Sequence, residues 1–149
     1  MRLGSLEALV RQFLDGSLPH PEWTHSAHLA VGAWHVHRFG AEEALARLRR
    51  GIRALNDRHG TANTDTSGYH ETITVAYVRL IDEFLSAFDA STPLEVRLEQ
   101  LLSGTLGDRA LLLRFWSHDL LMSPRARAAW TPPDVMPLAV PGDATAILP

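Results

Sequence analysis

Chemistry in this 149-residue chain must come from imidazole, carboxylate and hydroxyl groups, because it has eight histidines and no cysteine. Four of those histidines, His25, His28, His35 and His37, fall within residues 23–39. At about 100° per helical residue, His25, His28 and His35 lie within roughly 80° of one another, and His37 points the opposite way. Leu29, Val31, Val36 and Phe39 flank this face, which therefore sets imidazoles in an apolar wall. Histidines three apart on a helix can present nitrogens to one ion, and a third from another helix completes a three-ligand set with an open position. His25, His28 and His70 make that set most economically, with Zn²⁺ or Fe²⁺ as the ion. His35 and His118 stand in reserve, and Glu22 is a further candidate ligand or an acceptor behind one.

His70 belongs to a second group, Gly68-Tyr69-His70-Glu71-Thr72, preceded by the polar stretch of residues 60–68. Glu71 can move protons on a metal-bound water, or it can simply complement the positive end of a helix. Asn63, Thr64 and Tyr69 are candidates to hold a substrate, and equally to shape a turn and pack. Each histidine also has a plain alternative, that of a core residue satisfied by one hydrogen bond. Several together on an apolar face weaken it, since each unpaired buried imidazole costs separately. No Gly-x-Ser-x-Gly elbow, phosphate-binding glycine loop or dinucleotide fingerprint occurs.

Taken jointly, Trp23-Thr24-His25-x-x-His28, Asn63-Thr64 and Gly68-Tyr69-His70-Glu71-Thr72 resemble a family of small bacterial proteins with no assigned activity. The resemblance covers roughly residues 10–90. It implies that the two motifs act as one site, and it implies no reaction.

These residues have to be positioned by helices. Apolar residues recur at helical spacing after Ser5, after Thr24, over Ala41–Arg58, and from Tyr69 through Phe88. Thr92-Pro93-Leu94-Glu95 signals a fifth helix. Asp108 can cap a sixth over Arg109–Met122, apolar around most of its circumference and so expected to be central. Ser123-Pro124 opens a seventh, reaching Trp130. The expected fold is all-α, a single-domain bundle of about six or seven helices over residues 1–130, in which helices two, four and six meet. Residues 131–149 hold five of the nine prolines, predicting an extended tail that wraps the body or joins two copies as a homodimer.

Hydrophobic content of 46% and a net charge of -3 describe an ordinary globular protein, with no electrostatic case for nucleic acid or a membrane. No stretch is long and apolar enough to span a bilayer, so cytoplasmic residence is the default expectation. Two functions follow from the residues. One is a metal-dependent hydrolase or lyase acting on a small molecule through His25, His28, His70 and Glu71. The other is a non-catalytic module that binds a ligand or metal in a histidine-lined pocket.

Overall fold

A computed structural model describes residues 2–142. Among them it shows seven α-helices and no strand: α1 (Leu3–Asp15), α2 (His25–Phe39), α3 (Ala41–Arg58), α4 (Glu71–Ser86), α5 (Leu94–Ser103), α6 (His118–Leu121) and α7 (Pro124–Ala128). None of these helices is long and apolar enough to cross a membrane.

The histidine helix α2 is the hub, packing against α1, α3, α4 and α5. Its start is fixed chemically: the Thr24 hydroxyl accepts from the Ala27 amide at 3.2 Å, satisfying one of the free donors of a helix amino terminus. Its burial explains its composition, since Ala27, Ala30, Gly32 and Ala33 let neighbouring helices approach closely. At Gly32 an added Cβ would stand 3.0 Å from Ile81 Cδ1 of α4. Gly16 ends α1 in the left-handed conformation, at φ 78° and ψ 10°, where glycine carries no Cβ penalty.

Four boundaries differ from the sequence pattern, one being α7, which stops at Ala128 and does not reach Trp130. The first helix begins at Leu3, so Ser5 lies within it. Thr92 makes no side-chain cap, and α5 opens after Pro93. The predicted sixth helix is not continuous. Leu111–Arg114 form a 3-10 turn, and Ser117 then starts a separate short helix by accepting from Leu120 N. The break has a tertiary cause, because Asp134 accepts from both the amide and the hydroxyl of Ser117, each at 2.7 Å. Its apolar residues are buried because the chain on both sides covers them, as with Leu111 and Trp116, while Leu113 stays exposed.

The described part of the tail, residues 131–142, runs along its own chain. Trp116 Nε1 donates to the Thr131 carbonyl at 2.9 Å, Val135 N donates to Phe115 O at 2.9 Å, and Val140 N donates to a Glu83 carboxylate oxygen at 2.9 Å. The Trp130 ring meets Trp116 edge to face and lies under the Arg79 guanidinium. The remainder of the predicted tail, residues 143–149, lies outside the described residues.

Candidate functional site

The start of α2, α3, α4 and the segment from Gly107 to Met122 enclose a cavity of about 680 Å³, within the usual range of small-molecule sites. Its depth is apolar. Leu29 and Gly32 from α2, Leu48 from α3, Val78 and Ile81 from α4, and Leu112 and Leu121 are all buried and line it. Ile52 and Ile73, half-buried, continue these walls outward. The mouth is different, formed by the exposed Thr24, Ser26, His28, Arg109 and His118 together with the exposed Leu113 and Met122. The amino-terminal, positive end of α2 opens on the same side.

Two imidazoles are held in defined tautomers at this mouth. His28 Nδ1 lies 2.7 Å from the Thr24 carbonyl, so it carries the proton and donates, leaving Nε2 as an acceptor with no partner among the described residues. His25 Nε2 lies 3.0 Å from the Leu106 carbonyl, leaving its Nδ1 in the same state. The His28 ring stacks on Trp23, with centroids 3.7 Å apart and planes 27° apart. His28 is exposed, but it opens onto a concave wall, and desolvation pushes its pKa down to about 4. The Thr24 carbonyl opposes that shift, and the electrostatic influence of His25 and Arg109 adds to it. At neutral pH the ring is uncharged. Tyr77, edge-on to His25 at 5.5 Å, has its hydroxyl pushed up to about 12 by burial and by Asp108, so it remains a donor.

His70 does not join His25 and His28. It is the N-cap residue of α4, its Nδ1 accepting from Ile73 N at 3.1 Å, while its Nε2 donates to the Leu121 carbonyl at 2.6 Å. One neutral tautomer satisfies both bonds, and neither nitrogen is left for an ion. Burial, the main cause, lowers its pKa in the same direction. Among the described residues, no three His, Cys, Asp or Glu side chains are grouped to hold one metal ion.

The rest of the second motif is likewise committed to the fold. Glu71 receives Arg49 Nε at 3.0 Å and the Tyr69 hydroxyl at 2.7 Å. Burial alone would raise its carboxyl, but these bonds outweigh it and hold the group below its ordinary value. The Tyr69 ring sits under Arg53, and burial pushes its hydroxyl up to about 12. Thr72 donates to Ala129 O at 2.9 Å and accepts from Thr131 N at 3.1 Å. Gly68, at φ 76°, presses so closely on the Asn63 loop that a Cβ would meet Ala62 O at 2.5 Å. Arg127 donates to the Gly68 carbonyl at 2.7 Å. The five residues Gly68–Thr72 thus bind α3, α4, α7 and the tail together, and none of them lines the cavity.

Asn63 and Thr64 are turn builders. Asn63 Oδ1 accepts from Asn56 Nδ2 and Tyr69 N, each at 3.0 Å, and its Nδ2 donates to Asp57 at 3.2 Å. Thr64 Oγ1 accepts from Thr66 N at 3.2 Å. Neither lines the cavity. Glu22 is exposed in a 3-10 turn. His35 shares the angular face of His25 and His28, yet at 1.5 Å per residue it lies about 10 Å further along α2 than His28. There it bonds Val31 O at 2.8 Å among Phe13, Trp34 and Phe39. His118 does reach the cavity mouth, pairing loosely with Asp119 at 3.3 Å.

Arg109 and Ile52 line the cavity and Arg49 holds Glu71, positions that short-range patterns did not reveal. Arg49 meets Glu71 across 22 positions of sequence, and Arg109 stands at the mouth through the turn that Asp108 makes by accepting from Ala110 N. No family model, curated protein or solved structure matches this chain.

Proposed function

We propose that this chain is a small-molecule binding protein whose ligand enters the cavity apolar end first and keeps its polar end at the histidine rim. The observation that carries this reading is the division of the lining. The deep walls are apolar, and the mouth holds two imidazoles whose free nitrogens have no partner among the described residues. A cavity of that kind gains from apolar burial, at about 25 cal/mol per Å² removed from water, while a few polar groups fix orientation. Nothing in this arrangement requires turnover.

The alternative of a metal-dependent hydrolase or lyase draws less support, because it needs His70 and Glu71, whose polar atoms already serve the fold. Two experiments separate them. A neutral apolar dye such as Nile red should bind with its emission shifted to the blue, and Ile52→Trp, which fills the outer wall, should abolish binding without loss of helicity. Elemental analysis of protein expressed with added zinc or iron should show no stoichiometric metal. Dye binding unaffected by Ile52→Trp would refute the cavity reading, and stoichiometric metal lost on His70→Ala would establish the other.

A further inference from the structure

The cavity carries a charge signature that its apolar depth does not require. The chain has more acidic than basic residues, 17 against 14, yet no aspartate or glutamate lines the cavity, and Arg109 is the one arginine that does. The Arg109 guanidinium makes no ion pair or hydrogen bond with the described residues and faces His28 closely enough to depress its protonation. Arg47 and Arg49, by contrast, are engaged on Glu43 and Glu71. Ser26 and Tyr77 add hydroxyl groups to the same lining.

Resting on the small-molecule reading above, we infer that the ligand is an apolar monocarboxylate, its acid group met by Arg109 and its hydrocarbon body lying against Ile52, Ile73 and Ile81. A carboxylate suits a guanidinium because the fork of N–H donors matches its two oxygens. A cationic headgroup would find no carboxylate in the lining itself, Asp108 and Asp119 standing beside it, and a neutral one would leave Arg109 unused. The depth is also set. From Ile73 to Ile81 the wall follows α4 for eight residues, about 12 Å at 1.5 Å per residue, which is the reach of a medium-length alkyl chain or a two-ring aromatic body.

The test is calorimetric titration with octanoate, octan-1-ol and octylamine against the full chain and Arg109→Gln. Arg109 is exposed, and thermal melts confirm that the variant folds. Octanoate should bind most tightly, and Arg109→Gln should weaken it by about 10- to 100-fold, the worth of a hydrogen-bonded charge, leaving octan-1-ol within about twofold. Affinity should climb by about fourfold per methylene from hexanoate to octanoate. Octan-1-ol or octylamine binding as well as octanoate, or octanoate indifferent to Arg109→Gln, overturns the carboxylate inference while the cavity reading stands. Nile red binding without any octyl compound binding does the same. If neither the dye nor any octyl compound binds, both readings fall together.

Discussion

Replacing Glu71 with glutamine separates an architectural carboxylate from a proton-moving one. The side chain is 14% exposed and that of its partner Arg49 is 38% exposed, so the pair lies between a surface contact and a buried one. Hydrogen bonds to charged groups contribute about 1.5–3 kcal/mol when sheltered, and open ion pairs contribute about 0–1 kcal/mol. Glutamine keeps one acceptor oxygen for the Tyr69 hydroxyl and Arg49 Nε, but its amide nitrogen would face Arg49 Nη2 as a second donor, so the charge and one Arg49 hydrogen bond are lost. We expect a cost of about 1–2 kcal/mol, which for a chain of this size lowers Tm by about 2–8 °C.

The pH dependence fixes the sign. A carboxyl held below its ordinary value in the folded state stabilises fully above the unfolded-chain value, near ~4.3, and loses that contribution as pH falls through the lower folded value. Thermal melts by circular dichroism should therefore show the gap between wild type and Glu71→Gln widest at pH 7 and narrowing as pH falls through the acid range. Equal Tm values at pH 7, or a gap that does not narrow at all in acid, would refute the latch. Ligand binding at pH 7 and 20 °C, well below either Tm, should be unchanged.

Other consequences can be measured separately. Gly68→Ala forces a left-handed backbone on a residue with a Cβ and drives that Cβ into Ala62 O; it should cost more than about 1 kcal/mol, and a melting temperature equal to that of wild type would contradict it. In histidine NMR spectra the His28 ring should titrate near pH 4, so the fold loses stability as pH falls from about 6.5 to about 4, where the unfolded chain takes up the proton first; a midpoint near 6.5 would remove the desolvated setting described here. Removing residues 131–149 takes away the Thr131 partner of Trp116 and the Asp134 partner of Ser117. It should lower Tm with no change in the number of chains per particle by light scattering, whereas a shift from dimer to monomer would show that the tail serves a second copy.

Much of the fold was legible because it rests on local chemistry. Thr24 caps α2 and Gly16 ends α1, and the apolar periods of α2, α3 and α4 set their buried faces. The sixth helix was misread for a non-local reason: its sequence is apolar throughout, but Asp134, 17 residues later, claims the Ser117 amide and starts a new helix there. For the site, angular position on α2 grouped His25, His28 and His35 correctly around the axis and said nothing of their height along it. His70 was placed on a core-facing helix as expected, and what could not be read was that Leu121 O would take its second nitrogen. The Gly68–Thr72 motif stood out by its imidazole, carboxylate, aromatic and hydroxyl groups, which suit a site. The same groups can latch a fold, as their bonds to Arg49, Arg127 and Thr131 show here.

The most direct measurement of the cavity's role is methyl NMR of protein labelled at the isoleucine δ1 positions, titrated with octanoate. Ile52, Ile73 and Ile81 all line the cavity from two different helices. Saturable shifts of all three, with a common dissociation constant lost in Ile52→Trp, are the predicted result. Octanoate binding that leaves those three methyl resonances in place would contradict the account.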